Sequence, residues 1–434
     1  MKSIYNIKSV TFRNLFATIG LISILSCCQT TFHEPGELFA LSDIISAEKI
    51  KTDSSLFEQS WLIWFNQPLD HRHPEKGSFK QRIWLSHKNN EAPVVMVTEG
   101  YSAKRNYTSE LAKLTNANQI IVEHRFFAKS QPDSIDWQYL TVEQAANDHH
   151  RIIQFFKKLY TKKWATTGIS KGGQTAIFHR AFFPNDVDVT VPYVAPINLA
   201  REDTRLFDFF ESVGTETERE QIRNFQLTVL KNRDKLMPLF KEYAQEKGYT
   251  FRMGYDKAFD LVVLEYPFSF WQWGSKPQTI PSSDASMNEI FKHLRTGSDI
   301  SYVSDQSWED IKPFFYQAYK ELGYYAYVPG DLAPHLKGYR TDTISSCMFA
   351  PGGDTLRFLP TMNKVMRDLE ATNPSMIAII GQNDPWGATS IDNSKLSNTS
   401  RAVAPGGSHL TRINTLPDDT KEKVINKLNK LLLE

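Results

Sequence analysis

Short, uninterrupted apolar runs closed off by turn residues recur after Trp61, and they constrain the fold more than any other feature of the chain. They are Val94–Val97, Gln119–Val122, Val187–Val194, Met376–Ile380 and Arg401–Ala404, with a further short run at Lys163–Thr167. Runs of this length suit strands covered on both faces. Between the second run and Lys163 lies Thr141–Tyr160, which opens with a TxxQ capping-box pattern and places Ala145, Ile152, Phe156 and Leu159 on one helical stripe. Strands that alternate with helices need crossovers, so the spacing predicts an α/β fold with a mostly parallel central sheet.

The middle third, 200–345, breaks that alternation. It is richer in charge, carries a helical pattern over Glu218–Lys247 and concentrates aromatics at 266–273 and 314–327. It reads as a helical cap inserted between a first core segment, 56–199, and a second, 346–434. At the N-terminus Lys2, Lys8 and Arg13 precede a nearly uncharged stretch, Leu15–Leu25, then Ser26, Cys27 and Cys28. That is export-signal order, and the stretch is shorter than the ~20 residues a membrane span needs. Residues 24–27, Ile-Leu-Ser-Cys, resemble a bacterial lipobox, which makes 1–26 a signal peptide, Cys27 the lipidated mature N-terminus and 27–55 a tether. A plain cleaved signal is the alternative. The expected location is exported, held at a bacterial membrane through the lipid alone.

Fifty Lys plus Arg against 49 Asp plus Glu give no field that would draw nucleic acid. Three cysteines exclude a disulfide framework, and no clustered ligand spacing appears. His149 and His150 are neighbours on a helix, where side chains point about 100° apart. No metal or other cofactor is expected.

Gly168-Ile169-Ser170-Lys171-Gly172 is a GxSxG sequence followed at once by Gly173. In a nucleophile elbow the serine sits on a strained strand-to-helix turn, and small neighbours are required where helix and adjacent strand approach. The strand before and the helix after, Gln174–Phe183, are both legible. Serine needs a base, and the base needs a carboxylate to hold its tautomer. In the α/β-hydrolase fold the order is serine, acid, histidine. Asp384 follows the apolar run 376–380 in GQNDPW, and His409 follows 401–404 in APGGSH, both beyond strand ends where such sheets place their sites. The backbone N–H of Lys171, with one from Gly100 or Tyr101 in TEGYS, would form the oxyanion hole. The Lys171 side chain reads as a solvated or supporting charge.

These motifs together resemble the secreted tripeptidyl aminopeptidases of the α/β-hydrolase clan, with the prolyl carboxypeptidase and dipeptidyl peptidase II group as cousins. The matching stretches are FNQPLDHRHPEKGSFKQRIW (65–84), TEGYS (98–102), VEHRFFAKSQP (122–132), GISKGGQTAIFHRAFFPNDVD (168–188), GQNDPWGA (381–388) and GGSHLTRI (406–413). Gln382 and Asn383 ahead of the acid fit the tripeptidyl branch better than the cousins. The resemblance implies a serine exopeptidase that removes short peptides from free N-termini, often near proline, beneath a helical cap.

An enzyme of that kind must hold an ammonium, and a partly buried carboxylate serves because charge pairing strengthens away from water. The candidates are Glu99, Glu123 and Glu265, with pairing to Arg125 the competing role for Glu123. Aromatics of the cap, Trp271 and Trp273 among them, and Trp386 beside the candidate acid could line a pocket for apolar or prolyl side chains. An esterase on the same scaffold and a non-catalytic binding lipoprotein are the other readings. Activity is expected to fall as pH drops below about 6 to 7, since the base must be neutral.

Overall fold

The computed structural model describes residues 32–434. The expected signal peptide, Cys27 and the start of the expected tether therefore lie outside the described residues. Nine strands form the main sheet: β1 (Ile44–Lys49), β2 (Gln59–Pro68), β3 (Ser78–His87), β4 (Val94–Thr98), β5 (Asn118–Val122), β6 (Trp164–Ile169), β7 (Val189–Tyr193), β10 (Met376–Gly381) and β11 (Thr399–Ala404), while β8 (Ala326–Tyr327) and β9 (Ile344–Ser345) pair separately. The order across the sheet is β1-β2-β3-β5-β4-β6-β7-β10-β11, antiparallel from β1 through β5 and parallel from β5 to β11. The sheet thus has the mostly parallel α/β-hydrolase architecture.

The continuous apolar runs are explained by cover on both faces. Val95 and Val97 pack on one side with Ile377, Ile379 and the helix Asp418–Leu432, and Val94 and Met96 on the other with Ile152 and Phe156 of the helix Val142–Phe156. Each fully buried Val or Ile contributes roughly 1.5–3 kcal/mol, and these strands place nearly every residue so. Thr141 caps the helix at 142 by accepting from the Gln144 N–H, but the Gln144 side chain reaches Asp70 rather than closing the expected box.

Chain order and spatial order part company at β4. Its successor β5 lies on one side and β6 on the other. This is the switch point at which open α/β sheets leave a crevice beyond their C-terminal strand ends. Glu99 to Tyr101 follow β4 there, and Ser170 follows β6.

Two expectations change. Residues 32–55 are not a plain tether: β1 falls within them and pairs antiparallel with β2 at the sheet edge, where its mostly exposed residues give it no apolar signature. Between β7 and β10 run the helices Arg205–Ser212, Glu216–Lys231, Arg233–Lys247, Tyr255–Gln272, Met287–Gly297 and Asp305–Gln317. Their apolar residues form a cluster of their own that extends past 345 to Phe349 and Ala350 and takes in Trp386. Among the described residues no helix is long and apolar enough to cross a membrane.

Candidate active site

Ser170 leaves β6 at φ 57° and ψ −125°. A non-glycine residue there costs of order 1–3 kcal/mol and persists only if its surroundings hold it. They do. Its N–H donates to the Tyr193 carbonyl at 2.8 Å, and its carbonyl accepts from Gln174 N–H at 2.9 Å, opening the helix Lys171–Phe182. A Cβ at Gly168 would lie 2.3 Å from the Gly172 carbonyl carbon, and one at Gly172 would lie 2.5 Å from Thr98 O, so neither position accepts a side chain.

Asp384 and His409 stand on loops that follow β10 and β11. The loops are zipped together by Asn383 N–H to Gly407 O (2.7 Å) and Gln382 N–H to Ala404 O (3.1 Å). His409 Nδ1 lies 2.7 Å from Asp384 Oδ2, and the carboxylate also accepts from Trp386 N–H at 3.2 Å. An ionised carboxylate can only accept, so Nδ1 carries the proton and Nε2 is left with its lone pair. Asp384 is fully buried, and burial raises its carboxyl above the ordinary range while the bond from His409 opposes that. The sheet order brings Ser170, Asp384 and His409 to one edge, beyond β6, β10 and β11.

The loop after β4 closes the fourth side. A Cβ on Gly100 would meet Lys171 C and Gly172 N at 2.6 Å, so this loop lies directly on the elbow. Among the described residues the N–H groups of Gly100, Tyr101 and Lys171 donate to no protein acceptor. Of the two expectations for the Lys171 side chain, a solvated or a supporting group, the solvated one fails: it is only 2% exposed, and its Nζ donates to Gly100 O at 2.7 Å. Burial holds this amine well below the ordinary lysine range.

The three candidate carboxylates separate. Glu123 is withdrawn from any substrate role: wholly buried, it accepts from Arg82, Ala103 N–H, Lys129 N–H and the Ser130 hydroxyl. Its competing partner was misjudged too, because Arg125 pairs with Asp148 through two 2.7 Å bonds. Glu99, half-buried, accepts from Tyr107 at 2.6 Å and faces a shallow groove with Lys104 and Arg105. Glu265 is buried in the helical layer, where Tyr325 and Tyr327 donate to Oε2 at 2.7 Å each and Ser269 to Oε1 at 3.3 Å. Burial pushes its carboxyl up to about 7. Among the described residues it has no cationic partner.

A cavity of about 590 Å³ in the helical layer is lined by Phe268, Trp271, Tyr325 and Tyr327, opposite Glu216, Arg219 and Glu220. Trp271 thus lines this cavity. Ser170, Asp384 and His409 do not line it. The link is aromatic: Phe268 and Tyr325 contact Trp386, with centroids 5.0 and 5.8 Å away, two residues past Asp384. Trp273 instead sets its ring edge-on to His409 at 5.8 Å. His149 and His150 diverge, the first to Ala145 O and the second to Asp186. Among the described residues no three His, Cys, Asp or Glu side chains group as metal ligands.

Contacts that sequence reasoning did not reach include Tyr107 on Glu99, Arg412 donating to the His409 carbonyl at 3.1 Å, and the two tyrosine hydroxyls on Glu265. Only the Tyr325 and Tyr327 rings carried a signal, as members of an aromatic-rich stretch.

A strained serine at the switch point of a mostly parallel sheet, with a buried Asp–His pair after the last two strands, defines a serine hydrolase of the α/β-hydrolase fold. The comparisons narrow this. Residues 43–431 match the model of the PS-10 peptidase S37 family, and the chain belongs to that family. It is 37% identical over 374 residues to the prolyl tri/tetrapeptidyl aminopeptidase of Streptomyces mobaraensis, covering 83% of this chain and 78% of that one. It is 26% identical over 181 residues to a probable serine protease of Arabidopsis thaliana, over 36% of each chain. The crystal structure of Mycobacterium smegmatis proline iminopeptidase superposes with a TM-score of 0.43 at 11% identity, over 85% of this chain and 99% of that one.

Proposed function

We propose that this chain is a serine aminopeptidase that cleaves short peptides from free N-termini, with a preference for proline near the cut, and that Ser170, His409 and Asp384 carry the chemistry. The observation that carries the reading is the 2.7 Å Asp384–His409 pair on the loops after β10 and β11, at the same C-terminal sheet edge as the Ser170 elbow after β6, in a peptidase family. His409 Nε2 takes the proton of Ser170 Oγ as that oxygen bonds to the scissile carbonyl carbon, and Asp384 stabilises the imidazolium. The carbonyl oxygen becomes an oxyanion held by the N–H of Lys171 and of the loop at Gly100 and Tyr101. The tetrahedral intermediate collapses, the amine leaves with the proton from His409, and water attacks the acyl-enzyme by the same steps in reverse.

Glu265 receives the substrate ammonium. A buried carboxylate with no counter-charge is costly, and a cationic ligand that arrives with the substrate offsets that cost. Three hydroxyl donors leave Oε1 with spare accepting capacity. Tyr325 and Tyr327 belong both to this web and to the cavity wall, so the peptide's N-terminal end lies in the helical layer. Glu99 is the competing carboxylate.

The test compares peptidyl p-nitroanilides with free and acetylated N-termini, alongside a short-chain ester. The reading requires turnover of the free peptides, loss of it in Ser170→Ala, and fluorophosphonate labelling that the same change abolishes. Ester turnover without peptide turnover would replace it with an esterase. Glu265→Gln should cut the preference for free over blocked N-termini; if Glu99→Gln does so and Glu265→Gln does not, the amine site moves to Glu99.

We also propose export with lipidation at Cys27, supported by the order of residues 2–28 alone. A mature protein whose mass begins at Cys27 plus acyl chains is the expected result, and an unmodified N-terminus would refute it.

A further inference from the structure

The residue after the proposed nucleophile is a lysine whose side chain, with all four methylenes and its amine, is folded out of solvent. Lys171 is the first residue of the helix Lys171–Phe182, and helical side chains lean toward the N-terminal end, which here is the reaction centre. Among the described residues no carboxylate pairs with it. Its Nζ instead lies over the rings of Tyr101 (5.6 Å) and Phe127 (5.2 Å) and donates to the carbonyl of Gly100 at 2.7 Å. Burying an amine in this way is costly unless the arrangement it enforces is useful.

The accepted carbonyl shows what that use is. Gly100 C=O and Tyr101 N–H belong to one planar trans peptide, so they point to opposite sides. Holding the oxygen against Nζ fixes the direction of the Tyr101 N–H, which donates to no protein acceptor among the described residues. The next peptide is pinned as well, because Tyr101 O accepts from His124 N–H at 3.1 Å. A hydrogen bond to a peptide oxygen also polarises that peptide's own N–H, which strengthens it as a donor.

We infer that the Lys171 side chain is the positioning residue of the oxyanion hole: its backbone N–H supplies one donor, and its Nζ, through Gly100 O, aims the second at Tyr101 N. One residue therefore ties the elbow to the β4 loop that it touches. Protonated or neutral, the amine has an N–H to give, so the role does not depend on its charge. This inference rests on Ser170 being the nucleophile.

The test uses the full-length protein with Lys171→Met, which keeps the stem and removes the donor, and Lys171→Arg, which restores one. A peptidyl trifluoromethyl ketone reports the oxyanion directly: Ser170 Oγ adds to its carbonyl carbon, the proton passes to His409, and the carbonyl oxygen becomes the charged one. Loss of an aimed oxyanion donor typically costs about 100- to 1,000-fold in kcat. For Lys171→Met we expect a kcat reduction of at least that lower order, KM within about twofold, ketone affinity weakened in parallel with kcat, and partial recovery in Lys171→Arg. Lys171→Gln, a smaller change with a shorter donor, serves if the methionine variant does not fold, and its losses should follow the same split. Unchanged kcat in a folded variant, a kcat loss without weaker ketone binding, or a loss confined to KM would each overturn the assignment. Failure of the underlying reading looks different: Ser170→Ala would retain activity, or the wild type would bind the ketone without a Ser170 adduct.

Discussion

The N–H of His409 donates to the carbonyl of Gln272 at 2.9 Å, so the proposed base is tied to the C-terminal end of the 18-residue helix Tyr255–Gln272 in the insertion. The next residue, Trp273, sets its ring edge-on to the imidazole at 5.8 Å while remaining half exposed. The helical layer thus holds the proposed base by a backbone bond and a ring contact. Such edge contacts contribute about 0.5–1.5 kcal/mol. Trp273→Ala should lower kcat/KM by about threefold to tenfold with little change in thermal stability. Steady-state kinetics beside a melting curve checks it, and an equal fall in both would reduce Trp273 to a packing residue.

If Glu265 holds the substrate ammonium as proposed, stability and substrate binding should move in opposite directions with pH. Its carboxyl is pushed up to about 7 by burial, from an ordinary value of 4.5. Between those values the folded state binds more protons than the unfolded one, so its contribution to stability is present at low pH and lost as pH rises through about 7. Glu265→Gln should flatten that part of the profile. Binding needs the ionised form, whereas a peptide α-amine loses its charge above about 8. KM for free-N-terminal peptides should therefore be lowest between about pH 7 and 8. Acetylated peptides should show no such minimum, and a minimum common to both sets would count against Glu265 as the ammonium partner.

Asp384→Asn keeps the volume of a buried side chain and its contact with the Trp386 N–H, yet removes the acceptor that holds the proton on His409 Nδ1. With the wrong tautomer the base cannot take the serine proton, and kcat should drop about 10³- to 10⁴-fold while the fold is retained. Circular dichroism and kcat on one preparation decide this. A folded variant within tenfold of wild type would remove Asp384 from the triad.

What was legible in the sequence follows from burial. Strands β4, β5, β6, β7 and β10 are covered on both faces, so their apolar runs are continuous and fall within one or two residues of expectation. The candidate nucleophile and acid were legible because Ser170 and Asp384 follow such strands, whereas His409 follows β11, which is only partly covered. Strands β2 and β3 escaped notice because polar residues are buried in pairs between them: Gln67 donates to Gln81 at 2.9 Å and Ser60 to Ser86 at 3.2 Å, satisfied groups that hydropathy counts as surface. The solvated alternative for Lys171 fails for a similar reason. A lysine is ordinarily solvated, and the carbonyl and two rings that receive this one come from residues 100, 101 and 127. Glu265 was legible as a candidate, but its two tyrosine donors lie 60 and 62 positions away, beyond any local pattern.

The glycines around Ser170 give the sharpest contrast between position and composition. A Cβ at Gly168 would meet three backbone atoms, Gly172 C, Gly172 O and Thr98 O, at 2.3 to 2.6 Å, and backbone cannot step aside as a flexible side chain does. Gly168→Ala must push the helix Lys171–Phe182 away from β4, which moves the elbow and both proposed oxyanion donors together. Gly248 is the control: it has φ +68° but nothing within 4 Å of a Cβ, so alanine there meets only the backbone penalty of about 1 kcal/mol. Denaturant unfolding of the two variants should show a destabilisation at Gly168 at least twice that at Gly248. Fluorophosphonate labelling should be lost at Gly168 and kept at Gly248. If Gly168→Ala labelled at the wild-type rate, the close packing of elbow and β4 loop would not be what holds Ser170 in its reactive geometry.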